Sequence, residues 1–201
     1  MAQAEHHEHH EEQTNTGLAN RKMGFWLFLG SECMFFATLI TNYLSNLGRS
    51  PAGSPGPEHF NLPVTTISTF VLLMSSLVMA LSVYSIQRGD LKKTRLYIAL
   101  TALFGLVFLG FQVVEFTTFV GEGLTISANI FGSSFFLLTG THGLHVAIGV
   151  LWLISLLVYS FRGGVSQERA LDVEIAGLYW HFVDVVWIII FTVVYLMQRV
   201  R

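Results

Sequence analysis

The sequence has little charge and almost no cysteine. Lys, Arg, Asp and Glu make up 12% of its 201 residues, about half the share found in a typical soluble domain. Because Cys33 is the only cysteine, a disulfide within the chain is excluded. The net charge of −2 provides no concentrated basic surface, so we predict no nucleic-acid partner.

Hydrophobic residues are correspondingly abundant, at 52% of the chain. They form five runs, each close to the roughly 20 helical residues that cross a bilayer core of about 30 Å. All four prolines lie between the first two runs, in GRSPAGSPGPEHFNLP, where they exclude a helix. We therefore predict an all-α membrane protein with five transmembrane helices, at about Met23–Leu44, Val64–Ile86, Tyr97–Val120, Ile130–Phe161 and Ile175–Met197.

Two segments of different character follow from this pattern. Residues 1–21 are polar and rich in His and Glu, and we predict a disordered, solvated tail. The alternative for this tail is that its HHEHH run binds a metal ion weakly. Residues 22–201 are predicted to form one five-helix domain without an internal repeat.

The distribution of basic residues predicts the orientation of the chain in the membrane, because the cytoplasmic side is richer in Lys and Arg. Five helices place the two termini on opposite sides. The side of the N-terminus carries Arg21, Lys22, Arg88, Lys92, Lys93, Arg95, Arg162 and Arg169, whereas the other side carries Arg49, Arg199 and Arg201. We predict that the N-terminus is inside and the C-terminus outside.

Ionisable side chains lie within the predicted helices although each costs about 2.5–3.5 kcal/mol at mid-membrane. Depths counted at 1.5 Å per residue place several of them at similar levels. We predict a buried polar cluster of Glu32, His142, His145, His181 and Asp184. Further polar or interface positions are Gln112, Glu115 and Glu174, of which Glu115 is expected near the outer boundary, within reach of water or headgroups.

Three hypotheses account for these buried polar residues. Metal or haem ligation needs a set of ligands and a supporting second layer of hydrogen bonds, and HExxH is absent from the sequence. Proton transfer suits a series of Glu, His and Asp, but the third and fifth helices carry no continuous ladder. In the third hypothesis, which we favour, the polar groups pair with one another and fix the helix packing. We predict no catalytic residue and no metal ligand.

Four blocks of sequence resemble a known family. FWLFLGSECMFFA around Glu32, FLGFQVVEF around Glu115, GTHGLHVAIGVLW and LYWHFVDVVWIIIFTVVYL occur in this order between about Gly24 and Met197. Together they are similar to subunit III of the haem–copper terminal oxidases, in the five-helix bacterial form. This resemblance implies a multi-pass subunit of the bacterial inner (plasma) membrane, with a V-shaped helical bundle that holds phospholipids.

The resemblance also implies a role and partners. Haem and copper are expected in subunits I and II, with no redox centre on this chain, which would pack mainly on subunit I and sustain proton uptake while the other subunits reduce O2. Trp180, His181 and Arg95 become candidate lipid-headgroup contacts. We prefer a cytochrome c oxidase to a quinol oxidase. A stand-alone transporter and a membrane metalloenzyme are the alternatives from other functional classes.

Overall fold

The computed structural model describes residues 20–47, 49, 62–127 and 129–197 of the chain. Within these residues all regular structure is helical, and five helices are long and apolar enough to cross a membrane. The predicted five-helix membrane fold is therefore confirmed. The helices are α1 (Asn20–Asn46), α2 (Leu62–Gln87), α3 (Leu91–Gly121), α4 (Ile130–Phe161) and α5 (Ala170–Phe191), which continues as one π-helical segment at Thr192–Leu196.

Some predicted segments lie wholly or partly outside the described residues. The HHEHH run and residues 1–19 of the predicted tail are among them. The last two tail residues, Asn20 and Arg21, already belong to α1. Most of the proline-rich connection, at 50–61, also lies outside the described part of the chain.

Helix α3 begins six residues earlier than predicted because Asp90 caps it. The Asp90 Oδ1 atom accepts a hydrogen bond of 3.1 Å from the backbone N–H of Lys93, which satisfies one of the free donors at the helix start. The Lys93 side chain forms an ion pair of 3.0 Å with the same carboxylate. These hydrogen bonds with Lys93 lower the pKa of Asp90. The basic RGDLKKTR stretch is therefore largely the first turns of a helix.

Four of the five helices form a bundle, and the remaining helix packs against its side. Helix α2 packs on α3 and α5, and α4 packs on the same two helices, so that α2, α3, α4 and α5 form a closed ring of contacts. Helix α1 packs on α4 and α5. The structure thus has four helices in a ring of contacts, with α1 packed against α4 and α5 and a groove between α1 and α5.

One end of this bundle, at which α1, α3 and α5 begin, is here called the basic end. It is held by ion pairs between α1 and α5: Arg21 to Asp172 at 2.8 Å, and Lys22 to Glu174 at 3.0 Å. The Gln87 amide at the end of α2 donates to the same Glu174 carboxylate at 2.9 Å. Three helices are therefore joined where they reach the basic end.

Glycines permit close contact at the centre of the bundle. A Cβ atom at Gly105 on α3 would lie 2.5 Å from the ring of Trp180, and one at Gly143 on α4 would lie 2.5 Å from the Gln112 oxygen. A Cβ placed at Gly140, also on α4, would have none of the described residues' atoms within 4 Å. The tightly packed glycine beside His142 is therefore Gly143.

We predict that Gly105→Ala lowers the stability of the protein, because the new methyl group must displace both Trp180 and Val150, and overpacking a core costs about 1–3 kcal/mol. Gly110→Ala is the matched control, since none of the described residues has an atom within 4 Å of the added Cβ there. The measurement is the thermal midpoint of the detergent-solubilised protein in its native complex. Equal midpoints for the two variants would contradict the packing described.

Candidate functional site

The Glu32–His145 pair joins α1 to α4. Nε2 of His145 lies 3.2 Å from Oε2 of Glu32, and Nδ1 of the same ring lies 2.8 Å from the Thr141 carbonyl oxygen. A carbonyl only accepts, so Nδ1 carries a hydrogen and donates it. The contact between Nε2 and Oε2 then requires one further proton, on either atom. The pair is therefore neutral overall, as a carboxylic acid with imidazole or a carboxylate with imidazolium.

The second histidine of the THGLH sequence has a different environment. His142 is fully buried, with its ring centroid 4.8 Å from that of Trp187 and 5.8 Å from that of Phe108. Its Nε2 donates to the Val183 carbonyl at 3.2 Å, which joins α4 to α5. Nδ1 has no hydrogen-bond partner among the described residues. The ring of this histidine therefore packs against aromatic side chains and makes one hydrogen bond between α4 and α5.

A third contact joins α5 to α2. The Ser76 hydroxyl lies 2.6 Å from Nδ1 of His181. Asp184, three residues further along α5, is buried, and its Oδ1 has no hydrogen-bond partner among the described residues. The other four residues of the predicted cluster are distributed over three separate interhelical contacts: Glu32–His145, His142–Val183 and His181–Ser76.

Two tryptophans on α5 provide further contacts with α2 that the sequence analysis missed. The indole N–H of Trp180 donates to the Ser75 hydroxyl at 2.9 Å, and that of Trp187 donates to Thr69 at 2.9 Å. Both rings are only 2% exposed, so the lipid-headgroup contact predicted for Trp180 is wrong. The seven-residue spacing of these tryptophans on α5, opposite hydroxyl residues on one face of α2, was the available signal.

The remaining predicted residues are also engaged within the chain. Arg95 donates from Nε and a terminal nitrogen to the side chain and carbonyl of Ser160, at 2.8 and 2.7 Å. The Gln112 amide donates to the Thr139 carbonyl at 2.8 Å. These contacts tie α3 to α4 at two levels. Glu174 belongs to the ion pairs of the basic end.

Glu115 is buried rather than close to the solvent boundary. Its side chain is 7% exposed and accepts a hydrogen bond of 2.6 Å from Thr65. The hydroxyl of Tyr195, in the π-helical segment, also donates to this carboxyl. The expectation that water or headgroups reach Glu115 is therefore wrong, and this carboxyl instead joins α2, α3 and the end of α5.

An apolar pocket of about 330 Å³ lies in the groove between α1 and α5. It is lined by Trp26, Leu29, Gly30, Cys33, Leu178, His181, Phe182 and Val185. No group of three or more His, Cys, Asp or Glu with metal-binding geometry occurs within the described ranges. The chain thus offers an apolar cavity with one imidazole, and interhelical polar contacts elsewhere.

Comparison with known proteins decides the family. The family model described as Cytochrome c oxidase subunit III matches residues 1–199. The chain belongs to the cytochrome c oxidase subunit III family. It is a subunit III of a haem–copper oxidase and, with five membrane-spanning helices, a multi-pass protein of the bacterial plasma membrane.

Individual relatives of this subunit III carry two kinds of name. The chain is 42% identical over 181 residues, 90% of its length and 87% of the relative, to cytochrome c oxidase subunit 3 of Bacillus sp. (strain PS3). It is 41% identical over 187 residues, 93% of its length and 91% of the relative, to quinol oxidase subunit 3 of Bacillus subtilis. The similarity to both kinds is equal within two percentage points.

We predict that Glu32→Gln preserves the stability of this subunit, because the new amide N–H donates to Nε2 of His145 in place of the shared proton. Glu32→Leu leaves that nitrogen without a partner, which costs about 1–3 kcal/mol. The thermal midpoint of the assembled complex distinguishes the two variants. The neutral pair described above would be refuted if Gln and Leu destabilised the complex equally.

Proposed function

We propose that this chain is a non-catalytic scaffold of a cytochrome c oxidase, packed mainly on subunit I and close to subunit II. Haem and copper reside in those two subunits and carry out the reduction of O2 to water. The observation that supports this role is the use of the buried polar side chains. Glu32, His145 and His181 each take part in a contact between two helices, which is how a packing element uses polar groups in a membrane.

The proposed contribution of the scaffold is to keep subunit I in its active arrangement and to support sustained proton uptake. Phospholipids are expected to cover the apolar outer faces of the helices. Their anionic headgroups would be attracted to cations at the basic end, such as Arg88, Lys92 and Arg162, since each basic residue near an anionic surface is worth about 1 kcal/mol. Lipid is thus a proposed structural cofactor of this subunit.

The electron donor is proposed to be cytochrome c, with a quinol as the second candidate because relatives of nearly equal identity are named quinol oxidase subunits. The donor binds to other subunits in either case. Purification of the native complex with this chain as bait, followed by oxygen-consumption assays with reduced cytochrome c and with a short-chain quinol, distinguishes the two. Turnover with the quinol alone would overturn the preferred donor.

We predict that affinity purification of this chain from its native membranes in mild detergent yields haem absorbance bands and a large multi-helix partner. The Glu32→Gln variant is expected to retain the dithionite-reduced haem spectrum per amount of partner subunit, because this carboxyl holds helices rather than a metal. A colourless protein that purifies alone would refute the proposed role. Loss of haem absorbance in the variant at unchanged subunit content would refute the claim for Glu32.

We propose that the basic end faces the cytoplasm, since basic residues accumulate on that side. In a Cys33→Ala background, Lys92→Cys at the basic end is expected to resist a membrane-impermeant maleimide in intact cells and to react after permeabilisation. Glu122→Cys, beyond the opposite end of α3, is expected to react in both conditions. The reverse pattern of labelling would invert the topology.

A further inference from the structure

His181 gives the pocket between α1 and α5 a polar atom in a setting that a phospholipid headgroup does not reach. Its Nδ1 is engaged by Ser76 at 2.6 Å, which leaves Nε2, on the other side of the ring, as the nitrogen available to a ligand. His181 lies two helical turns beyond Glu174, about 10 Å further into the membrane. Glu174 pairs with Lys22 at the basic end, where the charged groups of the protein mark the membrane boundary.

This depth restricts what kind of molecule can satisfy Nε2. A phospholipid carries its polar groups at the boundary and presents only an acyl chain at the level of His181. An unpaired ring nitrogen in an apolar environment costs free energy. A ligand that fits must therefore carry an oxygen or nitrogen on an otherwise apolar body that is soluble in the hydrocarbon region.

The remaining lining favours a flat conjugated ring. Trp26 and Phe182 contribute aromatic side chains to the same pocket as His181, and aromatic rings stack or pack edge-to-face on other flat rings. Gly30 leaves room on the α1 side, with no atom within 4 Å of a Cβ placed there. The volume of about 330 Å³ lies at the lower end of the range for small-molecule sites, enough for one ring system and the start of a chain.

Ser76 allows His181 to hydrogen-bond to either redox form of such a ring. A hydroxyl can either donate its one hydrogen or accept one. When Ser76 accepts from Nδ1–H, Nε2 presents a lone pair that accepts from a hydroquinone O–H. When Ser76 donates to Nδ1, Nε2 carries the hydrogen and donates it to a quinone carbonyl.

We propose that the pocket between α1 and α5 binds the ring of an isoprenoid quinone or hydroquinone, with His181 as its hydrogen-bonding partner and the isoprenoid tail extending into the bilayer. The site binds the molecule without an electron-transfer step on this chain. The proposal goes beyond the scaffold role and holds for either electron donor of the complex.

The test uses the intact complex in nanodiscs of phosphatidylglycerol and phosphatidylcholine that contain no quinone. A photoactivatable short-chain naphthoquinone is added, and labelled peptides are mapped by mass spectrometry. Labelling is expected within 26–33 and 178–185, reduced about fivefold or more in His181→Phe, as for one lost hydrogen bond. Ile189→Phe, an exposed position on α5 outside the pocket, is the matched control and is expected to label normally.

Competition on the unmodified complex keeps the proposal testable if His181→Phe fails to assemble. An unlabelled naphthoquinone is expected to displace the probe at about fivefold lower concentration than a naphthalene with the same tail and no ring oxygens. Equal competition by the two compounds would overturn the proposal. So would displacement by a free fatty acid at the same concentration as the quinone, which would identify an acyl chain as the occupant.

Discussion

The bundle depends on two indole rings that α5 inserts between its neighbours. Trp180 and Trp187 are almost fully buried, and each donates its N–H to a hydroxyl on α2. In hydrocarbon a buried N–H has no water to bond with, so the position of each ring determines where α2 must lie. Gly105 and Gly149 then admit the Trp180 ring between α3 and α4. Large rings against glycines and serines fix both the spacing and the register of four helices.

The other polar side chains also need hydrogen-bond partners within the protein, and they find them at other depths in the bundle. Each links two different helices: α1 with α4 through Glu32 and His145, and α2 with α3 through Thr65 and Glu115. Because lipid offers no competing partner, a single misplaced helix would leave several donors and acceptors unpaired. The polar groups therefore select one arrangement of the helices, because apolar surfaces alone can pack together in many ways.

The sequence predicted the helices well because hydrophobic length and the scarcity of charge determine which segments span a membrane. It was less successful with helix starts, since Asp90 caps α3 through a local hydrogen bond that hydropathy does not register. The depth estimate placed His145 and His181 at similar levels, but depth carries no information about which helices are neighbours. Whether Trp180 meets lipid or protein likewise depends on the ring of contacts among α2 to α5, which only the three-dimensional arrangement contains.

The position of α1 has a consequence for how the chain is made. Helix α1 is synthesised before the helices on which it packs, α4 and α5, whose residues follow about a hundred positions later. Until then Glu32 has no His145 beside it, and Arg21 and Lys22 have no acidic partners on α5. During biosynthesis the interhelical contacts of α1 can therefore form only after both α4 and α5 have been made.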